Sequence, residues 1–225
     1  MALTYITNGN IVLPDSIVCG KALAFDSDSG KICGLVDSVP AGADTIDAEG
    51  CFVAPGLVDI HIHGYLGEDA SDGSAEGIKK MAYGIAQNGV TAFLPTTMTV
   101  AKKQIEAALN AVRSLKEESK TWGGAEIIGV HAEGPFINPS KKGAQAEENI
   151  LKPDADFILE NADIIKYVTL APEPPLFLRT LSASRTNRER GRKRYRRPLP
   201  PEPLPQTWHR YVPLISKHPT EKQAF

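Results

Sequence analysis

Ala54-Pro-Gly-Leu-Val-Asp-Ile-His-Ile-His63 decides how this chain is read. Pro55-Gly56 is a turn signal, Leu57 to Ile62 is an almost continuous apolar run broken by Asp59, and Gly64 follows at once. A run of this kind between turn residues reads as a buried strand of a parallel sheet. Side chains alternate faces along a strand, so His61 and His63 share one face while Ile60 and Ile62 take the other. Two neutral imidazoles at this spacing can chelate one divalent ion, although a His pair on a half-exposed strand is by itself equally compatible with a plain polar face. Their place at the C-terminal end of the strand favours the ligand reading, because (β/α) barrels build their active sites there.

Upstream of this stretch, β-favouring runs at Thr4–Val12, Ala22–Asp26, Ile32–Val36 and Thr45–Ile46 alternate with turn clusters and predict a small antiparallel sheet. Downstream the pattern becomes strand then helix, repeated. Ser74 is a candidate N-cap for a helix with Ile78, Met81 and Ile85 on one stripe, ending near Gly89. A strand follows at Val90–Leu94, and then a second helix over about 100–118 with Ile105, Leu109, Val112 and Leu115 on one face. A third strand from Glu126 runs into His131-Ala-Glu-Gly-Pro-Phe136, a helix is expected over about 153–161, and Tyr167–Leu170 is a fourth strand. Right-handed βα repeats give a parallel sheet, and four strands are half of a closed eight-stranded barrel.

The end of the third strand places Glu133 where a carboxylate can reach the two imidazoles. His61, His63 and Glu133 therefore form a coherent metal-ligand set, whereas Glu133 taken alone would read as a solvated or helix-capping carboxylate. His131 shares the face of Glu133 by alternation. Its earlier place in the strand points to the core or to a supporting role rather than to the ligand set.

An apolar fraction of 42% is ample for a core. Cys19, Cys33 and Cys51 are odd in number and widely spaced, which suggests neither a disulfide framework nor a cysteine zinc site and fits a reducing cytoplasm. No leader pattern opens the chain and no apolar run approaches membrane-spanning length, so a soluble, cytoplasmic protein without a membrane partner is expected. The formal charge of −2 hides a split. Residues 1–174 hold 13 Lys+Arg against 24 Asp+Glu, and residues 175–225 hold 12 against 3, with 8 of the 17 prolines. Composition of the latter kind does not readily form a packed core.

Pro55-Gly-Leu-Val-Asp-Ile-His-Ile-His-Gly64, Gly89-Val-Thr-Ala-Phe-Leu-Pro-Thr-Thr97, His131-Ala-Glu-Gly-Pro-Phe-Ile-Asn138, Lys141-Lys-Gly-Ala-Gln145 and Val168-Thr-Leu-Ala-Pro-Glu173 together resemble the N-acetylglucosamine-6-phosphate deacetylases. The first motif alone indicates only the amidohydrolase superfamily; the third and fourth are more specific. The resemblance covers residues 1 to about 174. It implies part of a β-sandwich cap over residues 1–54 and the first half of a metal-dependent (β/α) barrel over 55–174. It further implies hydrolysis of the acetamide of a phosphosugar, in amino sugar catabolism, with a divalent cation held by Glu133, His61 and His63 as cofactor. Zn, Fe, Mn and Co are not distinguished by such donors. Ala144 and Gln145 would lie in the substrate-contacting loop, and homodimers are common in the family. Two further histidines, a phosphate-contacting stretch, a substrate histidine and the general-base Asp belong to the part of the family pattern that is not recognisable here. No catalytic residue is therefore assigned, and this chain alone is expected to have little or no deacetylase turnover.

Residues 175–225 depart from the pattern completely, and a frameshifted or otherwise aberrant, disordered tail is expected there. His209 and His218 follow no apolar strand and receive no ligand role. Another amidohydrolase, dihydroorotase-like or adenine-deaminase-like, is the nearest alternative, although a lysine to bridge two metals is offered only by Lys166 at the start of the fourth strand. A protein of another class would use the cations of Arg185–Arg197 to bind phosphate in a salt-dependent way. Tyr195 alone gives no interleaved stacking platform, and nucleic acid is not expected as a partner. The short proline run Pro198–Pro205 offers a third, PPII-docking reading.

Overall fold

A computed structural model describes residues 2–171 and 214–216, and in it the run from Thr4 to Val12 is two strands rather than one. They are β1 (Leu3–Thr7) and β2 (Asn10–Val12), and they belong to different sheets. The break falls where Asn8 takes φ 52° and where a Cβ on Gly9 would lie 2.5 Å from Val53 Cγ2. Only glycine lets the chain turn against its neighbour so closely. The elements that follow are β3 (Ile17–Val18), β4 (Ala22–Asp26), β5 (Lys31–Val36), β6 (Asp44–Asp47) and β7 (Phe52–Ala54). One sheet has the order β5-β4-β1-β6, and in the other β7 pairs with β2 and β2 with β3. Both are of mixed polarity, since β1–β6 and β2–β7 are parallel. The expectation of a single antiparallel sheet is corrected to that extent. Ile6 and Leu23 from the first sheet and Ile11 and Val53 from the second share one buried cluster, which is where the alternation of these strands places their apolar faces.

These strands belong to one compact unit, whose described residues are 2–56 and 214–216, and Leu57 opens a second. In the second, β8 (Leu57–Ile62) leads through the short hairpin of β9 (Gly64–Tyr65) and β10 (Glu68–Asp69) to α1 (Ala75–Ala86) and β11 (Val90–Thr97). Then come α2 (Lys102–Leu115), β12 (Glu126–Ile127), β13 (Val130–Glu133), α3 (Ala155–Glu160) and β14 (Ile165–Thr169). β11 pairs with β8 on one side and with β12 and then β13 on the other, and β13 pairs with β14, all in parallel. β12 and β13 are the expected third strand, interrupted at Ile128-Gly129. Gly129 has φ 151°, and a Cβ there would come 2.8 Å from the Ile164 carbonyl oxygen. β15 (Leu214–Ser216) also belongs to the first unit, where it runs antiparallel to β7 and extends the sheet of β7, β2 and β3. The remainder of the expected basic, proline-rich tail lies outside the described residues.

The helical stripes do what their spacing predicts. Ile78, Met81 and Ile85 of α1 and Ile105, Leu109 and Val112 of α2 are buried in one cluster with Phe93, Ile127 and Val130 of the sheet. Ser74 caps α1, its hydroxyl accepting from the Gly77 N–H at 3.1 Å. Ser74→Ala leaves that donor without its partner and is expected to lower stability by about 1 kcal/mol, read as a shifted urea midpoint at unchanged slope. α2 is shorter at both ends than the periodicity suggests and is followed by a single 3-10 turn at Glu118–Lys120.

β8 also departs from expectation. It is not buried: Leu57 is 54% and Ile60 52% exposed. Among the described residues it pairs only with β11, so it is an edge of the sheet, and β14 is the other edge. An apolar run reports what a strand could bury, not whether a neighbour is present on each side. Among the described residues no helix is long and apolar enough to cross a membrane.

Candidate metal centre

The C-terminal ends of β8 and β13 bring His61, His63 and Glu133 together, with one potential donor atom from each residue lying within 4.8 Å of the others. His63 Nε2 stands 2.9 Å and His61 Nε2 3.5 Å from the same carboxylate oxygen, Glu133 Oε2. The two imidazoles meet edge to face, with centroids 4.9 Å apart. Among the described residues, no other group of three or more His, Cys, Asp or Glu side chains converges in this way.

One hydrogen bond fixes the tautomer of His63. His63 Nδ1 is 3.1 Å from the Thr96 carbonyl, which can only accept, so Nδ1 carries the proton. In the neutral ring Nε2 is then a lone pair facing Glu133. Glu133 Oε2 is itself buried and without a hydrogen bond. A buried carboxylate oxygen that has no hydrogen bond and faces the His63 lone pair is costly unless a cation joins them. The donor set of two nitrogens and one oxygen therefore fits a divalent ion.

The backbone that carries the imidazoles is held by side chains. The Asp59 carboxylate accepts from the His61 N–H at 2.9 Å. The Thr96 hydroxyl accepts from the Ile62 N–H at 3.0 Å and donates to the Leu94 carbonyl at 3.1 Å. His131 is 2% exposed, and its two nitrogens lie 3.1 Å from the Ile60 carbonyl and 2.8 Å from the Thr169 hydroxyl. Burial holds the His131 pKa below the usual imidazole range, against the opposing pull of the Ile60 carbonyl, and the neighbouring His61 adds to the lowering. Sequence reading assigned no part to Thr96, Thr169 or Asp59. The one available signal was Pro95, directly after the expected strand Val90–Leu94, which marks an irregular ladder needing other hydrogen bonds.

Gln145 is buried, and its carbonyl oxygen accepts from the Thr99 N–H at 2.7 Å. It thus joins its loop to the segment that leaves β11. Ala144 is exposed in the turn between the 3-10 segments Pro139–Lys141 and Glu147–Asn149. Gly134, directly after Glu133, has φ 76°, and a Cβ there would overlap the Thr99 hydroxyl. Glycine at that position lets the turn carrying Glu133 lie against Thr99.

Residues 52–178 match the Amidohydrolase family, and the chain belongs to it. Within that family it is similar to the N-acetylglucosamine-6-phosphate deacetylase of Bacillus subtilis, 40% identical over 141 residues that make up 60% of this chain and 34% of the relative. It is also similar to the N-acetylgalactosamine-6-phosphate deacetylase of Escherichia coli, 31% identical over 147 residues, or 63% of this chain and 38% of the relative. The chain thus spans about a third of the length of these curated relatives. The crystal structure of N-acetylglucosamine-6-phosphate deacetylase from Pasteurella multocida shares its mixed α/β fold with a TM-score of 0.67 at 29% identity, covering 77% of this chain and 46% of that one.

Proposed function

We propose that residues 57–171 are the first half of a metal-dependent amidohydrolase barrel, preceded by part of a β-sandwich cap. The reaction served is hydrolysis of the acetamide of N-acetylglucosamine 6-phosphate to glucosamine 6-phosphate and acetate. One observation carries the metal reading: two imidazole nitrogens converge on Glu133 Oε2, which is buried and has no hydrogen bond. His61, His63 and Glu133 would hold the cation, His63 with its tautomer set by the Thr96 carbonyl. When bound, a divalent ion supplies Lewis-acid polarisation of an amide carbonyl and acidifies water. The residues of this chain supply orientation: Asp59, Thr96 and His131 hold the backbone that carries the ligands. Ala144 and Gln145 belong to the loop proposed to meet the sugar.

The phosphosugar class rests on the similarity to the Bacillus subtilis and Pasteurella multocida proteins. The Escherichia coli relative supports the 4-epimer, N-acetylgalactosamine 6-phosphate, as a second substrate reading. The metal-stripped 225-residue chain, titrated separately with Zn(II), Co(II), Mn(II) and Fe(II), is expected to bind one ion. The resemblance sets the general-base Asp outside the matched segment, so little acetate is expected from either sugar phosphate. Each sugar phosphate should nevertheless raise the melting temperature of the metal-loaded chain. Failure to bind any of the four ions would remove the metal reading. Binding of metal with no response to either sugar would remove the reading of Ala144 and Gln145 as sugar-contacting residues.

A further inference from the structure

We infer that His131 is a positioning residue for the metal centre, a buried strut that fixes the ligand-bearing end of β8 and so sets where His61 stands. The inference rests on the metal reading of His61, His63 and Glu133. It begins with a defect in the sheet. The β8–β11 register shifts between Phe93 and Pro95, and Pro95 has no N–H to offer its neighbour. The ladder is therefore weakest beside the residues that must be placed best. Side chains take its place, and Asp59 and Thr96 secure the N–H groups of His61 and Ile62.

His131 secures the remaining element, the Ile60 carbonyl, at 3.1 Å. That carbonyl belongs to the peptide group that ends in the His61 nitrogen, so holding it fixes the plane from which the His61 side chain departs. The ring reaches there from β13, two places along the sheet, and its other nitrogen meets the hydroxyl of Thr169 on β14 at 2.8 Å. One imidazole thus ties together the two edges of the sheet. Both nitrogens are engaged: Nδ1 donates to the carbonyl, and Nε2 accepts from Thr169. That leaves no free donor atom for a metal, which is why His131 supports the ligand set without joining it. Its ring also packs edge-on against His61, with centroids 4.9 Å apart, and against Tyr167 at 4.6 Å.

The test compares His131→Phe, which keeps a flat ring and loses both hydrogen bonds, with His131→Gln, which restores a donor and an acceptor. Two readouts are taken on the full chain: Co(II) affinity from its visible absorption, and deuterium exchange of the amides of residues 58–63 in the metal-free state. His131→Phe is expected to weaken Co(II) binding roughly 10- to 100-fold, the range found when groups that orient metal ligands are removed, and His131→Gln to recover most of it. Exchange at His61 and Ile62, whose N–H groups are held by Asp59 and Thr96, should quicken in the Phe variant while the amides of α1 and α2 keep their parental rates. Parental affinity together with parental exchange in His131→Phe would overturn the inference. Should that variant not fold, Thr169→Val removes only the far anchor; a severalfold loss of affinity is expected, and no loss would equally overturn it. Should the parent bind no Co(II), the metal reading fails and exchange alone decides: faster exchange in the variant keeps the strut, unchanged exchange removes it.

Discussion

Glu133→Gln is expected to weaken divalent-metal binding by about 100-fold or more while leaving the protein folded, because a group that binds the ion directly should matter at least as much as one that only orients a ligand. Glu133 is the only carboxylate in the cluster, so the substitution removes its sole negative charge. The shape is kept. The amide nitrogen, placed where Oε2 now stands 2.9 Å from His63 Nε2, can donate to that lone pair and repair an unsatisfied contact. The metal-free variant should therefore melt at or above the parental temperature. The parent at a hundredfold excess of metal over its dissociation constant gains about 2.7 kcal/mol, and the variant should forgo nearly all of it. Thermal melts with and without Zn(II), beside a calorimetric titration, read both quantities. A variant that retained the parental metal-induced shift would show that Glu133 is not a ligand.

What the sequence disclosed about this centre was the faces of its strands. Alternation placed His61 with His63 and His131 with Glu133, and the structure brings all four to one locus, although His63 lies just beyond the end of β8. Periodicity does not name neighbours. It could not show that β8 is an edge with Leu57 and Ile60 exposed, nor that Thr4–Val12 parts into two sheets at Asn8-Gly9. Hydrogen-bond partners distant along the chain were equally out of reach. Thr169 is 38 residues from His131 and Ile60 is 71, and nothing in local spacing pairs them. Pro95 directly follows the expected strand Val90–Leu94, yet the consequence of its missing N–H, a ligand strand held by side chains, appears only when the register is known. The helices were more legible, since an amphipathic stripe reports its own burial wherever the sheet lies.

Phe93→Ala separates the scaffold from the site. Phe93 is fully buried on β11 and lies in register with Asp59 of β8 and Ile127 of β12, between the sheet and the stripes of α1 and α2. Truncating it removes the ring and leaves a cavity that two helices and three strands cannot readily close, a change that costs about 3–5 kcal/mol. Against a typical domain stability of about 5–15 kcal/mol, that is enough to make unfolding visible under mild conditions. Trp122, partly buried against the same cluster and bonded to the Ala125 carbonyl at 3.0 Å, gives a fluorescence signal for urea unfolding. The midpoint should fall steeply at unchanged slope. The metal-binding residues sit at the strand ends beyond Phe93, so the folded fraction should bind Zn(II) with parental affinity, and saturating metal should raise the midpoint as it does in the parent. This is the reverse of the Glu133→Gln signature, in which stability is kept and binding is lost. A cost below about 1 kcal/mol for Phe93→Ala would mean that the helical layer does not pack on β11 as described.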